Sequence, residues 1–425
     1  MHQHLMSRPA RFSAYLAKST RGHGCPLSDG LCNHHLISDV YTERDDQSAT
    51  NKHDGLHEKN SSNVLLVVVS TFNCRGAALL PESTSRRVGG TCAPLYLTFK
   101  GEAYASWHET ETRHHNNERH STQYTGQELY FNNTIYLVTS NIKENVLPVG
   151  DVTYPFSYAL PVKLPSSFEG SYGYIRYTVR ATLDRPWKFN QDAKSVFTVI
   201  SHTDLNLLPQ LRNPLTQTKT KSVCCLCCNT GPMTMVARIP FTGFVSGQDI
   251  PLTIDMENPT RININNVNCV MMQVATFQSQ QPYASFRYER RPVAKLDLGP
   301  VERNSSKLLD GTMKIPPSPP SLLPNCNIIK LQYIIEVKAT VAGPHKNMYV
   351  NLPITVGTVP LIFQGNWEPS SSAPLLEPTA PAYPELPPPS YDECYFGSSN
   401  IKDRGDTQYT FGSTQYVPRY PTYNM

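Results

Sequence analysis

The chain has 425 residues and a formal net charge of +4; 39% of its residues are hydrophobic and 17% are charged. This length provides for two domains of ordinary size with terminal segments, and the weak, unclustered charge excludes the basic surface of a nucleic-acid-binding protein. The longest apolar run, residues 64–69, is far shorter than the roughly 20 residues of a transmembrane helix. Because the first residues also lack an apolar signal-peptide core, the protein is predicted to be cytosolic.

The N-terminal segment gives little sign of folded structure. Residues 1–60 are rich in His, Ser, Asn and Asp and show no sustained periodicity, so they are predicted to be disordered. Residues 64–72 are a candidate strand, but breaker-rich sequence follows. Dependable order is expected only from about Pro94.

Alternation of apolar and polar residues marks the first ordered block. It is clearest at residues 175–183, where Ile, Tyr, Val, Ala and Leu alternate with Arg and Thr. A period of two places one face of a strand against a core and leaves the other face polar. Because helical periodicity is nowhere convincing over twelve residues, the sequence predicts an all-β protein.

A second block with the same alternation begins near Met233 and echoes the first. A proline-rich loop precedes Val-Arg-Ala-Thr-Leu at residues 179–183, and another precedes Val-Lys-Ala-Thr-Val at residues 337–341. A repeat about one domain length apart predicts two related immunoglobulin-type β-sandwiches. The predicted bounds are 61–202 for the first sandwich, 203–222 for a polar connector and 223–363 for the second sandwich.

The alternation stops after residue 363. Residues 364–425 are rich in Pro, Ser and Tyr and poor in aliphatic residues, so they are predicted to form an extended, disordered tail. The tail contains Pro-Pro-Ser-Tyr at residues 388–391, followed by two acidic residues. Consecutive prolines favour polyproline II, and a Pro-Pro-x-Tyr peptide fits the aromatic groove of a WW domain. The predicted WW contacts are Pro388, Pro389 and Tyr391.

A degraded copy of this motif, Val-Pro-Arg-Tyr, lies at residues 417–420. It lacks the first proline, so one ring contact with the WW groove is missing. Pro418 and Tyr420 are therefore predicted to form a weak accessory WW site, which gains affinity from its tethering to the first motif.

Several stretches of the two blocks together resemble one known family. They include Phe-Lys-Gly-Glu-Ala-Tyr at residues 99–104, Leu-Pro-Val-Lys-Leu-Pro-Ser-Ser-Phe-Glu-Gly at 160–170, Gly-Phe-Val-Ser-Gly-Gln at 243–248 and Leu-Pro-Ile-Thr-Val-Gly at 352–357. In combination they resemble the α-arrestins, the arrestin domain-containing proteins, over residues 94–363. The resemblance implies two arrestin-like β-sandwiches joined by a short hinge. It also implies an adaptor whose folded part recruits membrane cargo and whose tail recruits HECT-type ubiquitin ligases through their WW domains.

The front of the chain departs from that family, whose members usually have a strand and a glycine-containing turn before the segment that matches residues 99–101. Residues 1–93 show no convincing counterpart. Either residues 64–72 replace the missing strands, or the first sandwich is incomplete and leaves an edge uncovered.

Four of the 11 cysteines cluster between the two blocks, at Cys224, Cys225, Cys227 and Cys228. In a cytosolic protein they are expected to be thiols, and no second ligand pair stands at a zinc-site spacing. Palmitoylation and a thiol-rich strand start are the two interpretations, of which the second is favoured. Cys269 falls on a predicted strand, so the thioredoxin capture performed in one related branch with a differently placed cysteine is not expected.

Two further clusters of ionisable residues receive structural interpretations. Four histidines and three glutamates lie close together in a predicted hairpin loop, which is interpreted as solvated rather than metal-binding: His108, His114, His115, His120, Glu109, Glu111 and Glu118. Five basic residues are interpreted as a solvated strand face in preference to a contact with acidic lipid or cargo: Lys163, Arg176, Arg180, Arg185 and Lys188. No motif predicts a buried charged core, a metal site or a cofactor.

The sequence therefore predicts an adaptor. Neither a nucleophile elbow nor a phosphate loop is found, so the chain is not expected to be an enzyme. The predicted protein is cytoplasmic and is recruited to the plasma membrane and endosomes. There it links receptors or transporters to WW-domain HECT ligases and promotes ubiquitination, endocytosis and sorting. The alternative is a signalling scaffold that regulates redox or metabolic pathways without recruiting a ligase.

Overall fold

The structure, a computed structural model, describes residues 35–44, 64–76, 94–112, 119–138, 150–185, 189–222, 231–363, 389–394, 399–403, 405–412 and 415–424. Within these ranges there are 22 strands and two short 3₁₀ helices, Leu205–Leu207 and Pro209–Arg212. The prediction of an all-β protein is confirmed. No helix in this part of the chain has the length and apolar character to cross a membrane.

The N-terminal sandwich consists of two sheets, with strands numbered in chain order. The smaller sheet contains β1 (His35–Arg44), β2 (Val64–Gly76) and β5 (Gly150–Leu160). The larger sheet contains β3 (Leu95–Thr112), β4 (Arg119–Val138), β6 (Phe168–Glu169), β7 (Gly173–Leu183) and β8 (Gln191–Phe197). The sheets meet where the ring of Phe99 on β3 stacks on the ring of Tyr158 on β5, with centroids 4.2 Å apart.

The front of the chain supplies part of this sandwich. Strand β2 pairs with β5 from Leu66 opposite Leu160 to Gly76 opposite Gly150, so the strand predicted at residues 64–72 is confirmed. Strand β1 pairs with β2, which differs from the expectation of disorder through residue 60. A polar strand shows no clear alternation when its order depends on backbone pairing with a neighbour. The pairing favours the hypothesis that residues 64–72 replace the missing opening strands.

The C-terminal sandwich also has two sheets. One contains β9 (Leu215–Lys221), β10 (Met233–Ile239), β12 (Asp249–Asn258) and β15 (Ser305–Lys314). The other contains β11 (Gly243–Val245), β13 (Ile264–Gln278), β14 (Phe286–Val301), β16 (Ile329–Val341) and β17 (Met348–Gly357). Alternation on β10, β12 and β16 buries every second side chain, as the sequence predicted.

The connector predicted at residues 203–222 is more structured than expected. Its second half forms β9, which pairs with β10 and so belongs to the C-terminal sandwich. Its first half is held to the end of β17, where the backbone N–H of Thr358 donates to the carbonyl of Thr203 at 2.9 Å. The sequence does not reveal β9 because only the ends of this strand are partly buried, while its central side chains face solvent.

Direct contacts join the two sandwiches. Thr125 and Gln281 exchange two backbone hydrogen bonds of 2.9 Å. Glu289 accepts bonds from the backbone N–H of Ser171 at 2.9 Å and from its hydroxyl at 2.7 Å. Burial alone would raise the pKa of Glu289, but the bonds from Ser171 and the neighbouring Arg291 outweigh it and lower this pKa. The ionised carboxylate therefore stabilises the junction.

The described part of the C-terminal tail is packed against both sandwiches. It forms five short strands, β18 (Ser390–Glu393), β19 (Ser399–Asn400), β20 (Thr410–Gly412), β21 (Gln415–Tyr416) and β22 (Arg419–Thr422). Strand β20 extends the larger N-terminal sheet by parallel pairing with β8, and β18 pairs with β22. We refer to the described residues between 389 and 424 as the strap. The strap differs from the predicted disordered tail because its order comes from contacts with distant residues rather than from its own aliphatic content.

Candidate functional site

A cluster of basic side chains lies on the outer face of the larger N-terminal sheet. The two-residue period of β7 places Arg176 and Arg180 on one side of the strand, as predicted. Lys194 on β8 lies directly opposite Arg180 in the register. Like charges at opposed positions repel each other, so this face needs anionic partners to be stable.

The strap supplies those partners through Asp403 and Asp406. The ammonium group of Lys194 contacts the Asp403 carboxylate, lies 3.1 Å from Asp406 Oδ2 and donates to the carbonyl of Ile401 at 2.8 Å. Arg180 contacts the Asp406 carboxylate and donates to the Gly405 carbonyl at 3.2 Å. We refer to the three basic side chains and the two strap aspartates together as the latch.

Arg176 connects the latch to the body of the N-terminal sandwich. Its guanidinium group donates two bonds of 2.8 Å to the Glu169 carboxylate and lies 3.5 Å from Asp403 Oδ1. Burial alone would lower the pKa of Arg176, but the bonds and charge of Glu169 outweigh it and raise this pKa. Only 3% of the Arg176 side chain and 4% of the Lys194 side chain are exposed. These cations are therefore buried and depend on their carboxylate partners.

The environment of Asp406 shows that the latch favours the ionised acid. Burial alone would raise the pKa of Asp406. The backbone N–H of Asp403, which donates to Asp406 Oδ2 at 2.9 Å, and the charges of Lys194 and Arg180 outweigh burial and lower this pKa. The strap is accordingly held in place while Asp406 carries its negative charge.

Buried tyrosines fix the C-terminal end of the strap. The Tyr420 side chain is 1% exposed, and its hydroxyl donates to the carbonyl of Ser167 at 2.9 Å. Burial raises the pKa of Tyr420 well above its ordinary value. Tyr423 donates from its hydroxyl to the Thr358 carbonyl at 2.7 Å, and burial raises its pKa to about 12. Ser167 belongs to the N-terminal sandwich and Thr358 follows the last strand of the C-terminal one, so the strap bridges both.

Four of the five residues predicted to bind WW domains lie within this strap. Pro389 and Tyr391 are half-buried, and Tyr391 sits on β18 opposite Pro421 of β22. Burial raises the pKa of Tyr391. Pro388 lies outside the described residues. In the accessory motif Pro418 is buried, as is Tyr420, so neither of its predicted contact residues is accessible to a partner in this conformation.

The comparisons with known proteins match this architecture. Residues 90–206 match the family model described as "Arrestin (or S-antigen), N-terminal domain", and residues 229–361 match "Arrestin (or S-antigen), C-terminal domain". Arrestin domain-containing protein 4 of Mus musculus is 30% identical to the chain over 343 residues, which cover 78% of this chain and 76% of the relative. The chain belongs to the arrestin domain-containing proteins, the α-arrestin family.

Other members of the family give similar alignments. Arrestin domain-containing protein 17 of Caenorhabditis elegans is 28% identical over 396 residues, covering 77% of this chain and 90% of the relative. Arrestin domain-containing protein 1 of Homo sapiens is 27% identical over 277 residues, covering 63% of this chain and 61% of the relative. The N-terminal family match begins at residue 90, so β1 and β2 precede the matched region in this α-arrestin.

The latch corrects one interpretation of the sequence. Arg176 and Arg180 do share a strand side, but they face the strap rather than solvent. Their partners were missed because Asp403 and Asp406 lie more than 220 positions away in the chain. The available signal was the charged run Lys-Asp-Arg-Gly-Asp at residues 402–406, the densest group of charges in the tail.

The remaining candidate residues contribute no chemistry that the structure shows. The cysteines at positions 224, 225, 227 and 228 lie outside the described residues, as do Lys188, His114 and His115. His108 is exposed, and among the described residues no group of three or more His, Cys, Asp or Glu side chains could hold a metal ion. Cys269 is buried on β13, and burial raises its pKa to about 12.

A cleft of about 850 Å³ lies beside the latch, between the sheet face and the strap. It is lined by residues of β3, β7 and β8 and by Thr407, Gln408 and Tyr409 of the strap. Its charged lining residues, Arg180 and Asp192, bind each other at 3.2 Å. Tyr96 also lines the cleft, and burial raises the pKa of its hydroxyl.

Proposed function

We propose that this α-arrestin is an adaptor that brings membrane receptors or transporters to a HECT-type ubiquitin ligase with WW domains. Its family membership supports the adaptor role, because arrestin-family proteins are adaptors and scaffolds rather than enzymes. The tail sequence Pro-Pro-Ser-Tyr at residues 388–391 is the observation that carries the ligase part of the proposal. The folded part binds the cargo and the tail binds the ligase. The effective concentration of ligase at the cargo therefore rises, which promotes ubiquitination, endocytosis and sorting.

The chemistry of the motif explains why a WW domain is the proposed partner. Pro388 and Pro389 preorganise the peptide as a polyproline II helix, and their rings pack against the aromatic side chains of the WW groove. Tyr391 adds a large amphipathic ring one residue further on, and Asp392 and Glu393 give the peptide a negative flank. The adaptor acts in the cytoplasm and reaches the plasma membrane and endosomes through its cargo. Palmitoylation at Cys224, Cys225, Cys227 or Cys228 would strengthen that peripheral attachment.

Binding of WW domains to peptides of residues 380–397 tests the proposal without any contribution from the rest of the chain. We expect micromolar binding by the natural peptide and loss of binding by the Tyr391→Ala peptide, because the tyrosine ring fills a pocket of the groove. The matched control is Tyr383→Ala, which removes a tyrosine that follows Pro-Ala instead of Pro-Pro-Ser. Equal binding by all three peptides would contradict the proposal.

The accessory role of Pro418 and Tyr420 remains a prediction and requires these residues to leave their buried positions. The scaffold alternative, with redox regulation through a reactive cysteine, is not favoured by Cys269. Burial of that thiol raises its pKa to about 12, so the nucleophilic thiolate is scarce at neutral pH.

A further inference from the structure

The strap holds Tyr391 of the proposed ligase-binding motif in a conformation that a WW domain does not bind. A WW ligand is an extended, exposed polyproline II peptide. Here Tyr391 lies on a β-strand, its backbone partner strand is β22, and its side chain is half-buried. The next backbone N–H beyond this strand, that of Cys394, donates to the carbonyl of Pro418 at 2.9 Å. Capture by a WW domain therefore requires β18 to separate from β22.

We propose that the docked strap is an autoinhibitory element, and that the latch formed by Arg176, Arg180, Lys194, Asp403 and Asp406 controls access of WW domains to Tyr391. This inference rests on the proposed function for the identity of the partner. It adds that ligase recruitment is conditional: the motif is withheld while the strap lies on the N-terminal sandwich and becomes available on release.

Strand β22 connects the latch to the motif. It pairs with β18 on one side, and its Tyr420 reaches the carbonyl of Ser167 in the N-terminal sandwich. Upstream of it, the strap is fixed by the latch and by the pairing of β20 with β8. When the latch and the β20–β8 pairing break, β22 is held to the sandwiches only by its own neighbourhood, chiefly through Tyr420 and Tyr423, so its docking is weakened. An isolated two-stranded ribbon is marginal in water, so β18 is then free to adopt the polyproline II form.

The latch consists of charged side chains, so docking and release of the strap are close in free energy. Lys194 is almost completely buried when the strap is docked, and it has carboxylate partners in that state. On release, water solvates both the cations and the aspartates, so their attraction in the docked state is largely offset by the desolvation that docking requires. Loss of either aspartate alone leaves the buried ammonium group of Lys194 with one carboxylate partner instead of two. A small change in charge therefore shifts the docked population strongly.

The affinity of the full chain for a WW domain measures the docked population. If docked chains outnumber released chains by about ten to one, the full chain binds about tenfold more weakly than the free motif. Two sets of substitutions release the strap by independent means. Asp403→Asn with Asp406→Asn removes the latch charges from the strap. Gly412→Val places a side chain where a Cβ atom would lie 2.1 Å from the carbonyl of Lys194, on a residue whose φ is +133°.

The experiment compares the binding of one WW domain to the peptide of residues 380–397, the wild-type chain and both released variants. We expect the wild-type chain to bind about tenfold more weakly than the peptide and both variants to approach the peptide. Lys402→Gln is the control, because it changes one exposed charge of the strap outside the latch and should bind as wild type. Adding Tyr391→Ala to either variant should abolish the binding that release restores.

Hydrogen exchange at the backbone amides of Cys394 and Tyr423 reports docking independently, since these donate to Pro418 and Ser246. Loss of their protection in both variants is expected. If protection persists in both variants, the proposal that the latch controls docking of the strap is wrong. If protection is lost without a gain in WW affinity, or if the wild-type chain binds as tightly as the peptide, the docked strap does not mask Tyr391. Either result leaves the proposed function unaffected. A peptide that does not bind would overturn the proposed function and the masking together.

Discussion

The central strands β7 and β16 carry the same sequence pattern in surroundings that differ between the two sandwiches. On β16, Lys338 is half-buried and lies over the ring of Tyr349, with its ammonium group 6.0 Å from the ring centroid. At the corresponding position of β7, Arg180 binds Asp406 of the strap. The outer face of β16 is polar and partly exposed, whereas β7 is buried on both faces from Ile175 to Val179. A repeated pattern therefore predicts a strand and its core face but not what covers the other face.

The largest expected difference between the two faces is in stability. Arg176→Ala should lower the free energy of unfolding of the N-terminal sandwich by about 3 kcal/mol, because Glu169 is left buried without its cation. Lys338→Ala on β16 should change it by less than about 0.5 kcal/mol, as is usual for partly exposed positions. Urea denaturation measures both. Equal effects would show that burial of β7 does not depend on its ion pairs.

A smaller effect is expected from the hydroxyl of Tyr420. Tyr420→Phe removes the bond to the Ser167 carbonyl and should weaken docking of the strap by about 1 kcal/mol while the ring stays buried. The C-terminal sandwich offers a contrast in Tyr349→Phe, which alters an exposed ring on β17, a strand that pairs with β11 and β16, and should leave docking unchanged. Protection of the Tyr423 amide against hydrogen exchange is the readout, and identical protection in both variants would contradict the role given to Tyr420.

Acidification should weaken docking of the strap on the outer face of β7. The pKa of Asp406 is lower in the docked strap than the ordinary aspartate value of 3.8, so its contribution to docking is complete at neutral pH and is lost as the pH falls through the lowered pKa. The charged groups that face Asp406 are Lys194 and Arg180, and Asp403 is the other acid of the latch. Sharp amide signals of a released strap should appear in NMR spectra on acidification. Asp406→Asn should show them already at neutral pH, and an unchanged spectrum would contradict this linkage.

The smallest expected effect is a difference in alkylation rate between two thiols, Cys269 in the C-terminal sandwich and Cys394 in the strap. Cys269 lies in the core of the C-terminal sandwich, and its pKa is raised to about 12, so alkylation at pH 8 should be slow in every strap variant. Cys394 is half-buried in the strap, and its alkylation should accelerate in Gly412→Val. Mass spectrometry of the labelled peptides compares the two rates. A faster Cys269 in that variant would mean that the substitution disturbs the whole protein rather than the strap.

Local pattern predicted much of the molecule. The alternation on β7, β10, β12 and β16 located these strands and their buried faces, because a period of two is a property of the strand itself. The family resemblance over residues 94–363 agrees with the two arrestin family matches. The same reasoning did not find β1, β9 or the strands of the strap. These are short or polar, and they are ordered by pairing with strands whose identity the local sequence does not contain.

The amino-acid sequence by itself determined the all-β class, the two sandwiches and the tail motif at Pro388, Pro389 and Tyr391, since each is encoded in neighbouring residues. Only the tertiary structure decided that Pro389 and Tyr391 of this motif lie on a docked strap and that Arg176 is buried beside an acid 227 positions away. The physical reason is that charge pairing and burial depend on distance in space. Composition alone predicts that a segment with little aliphatic content stays disordered, unless a distant surface supplies the contacts that offset its ordering entropy.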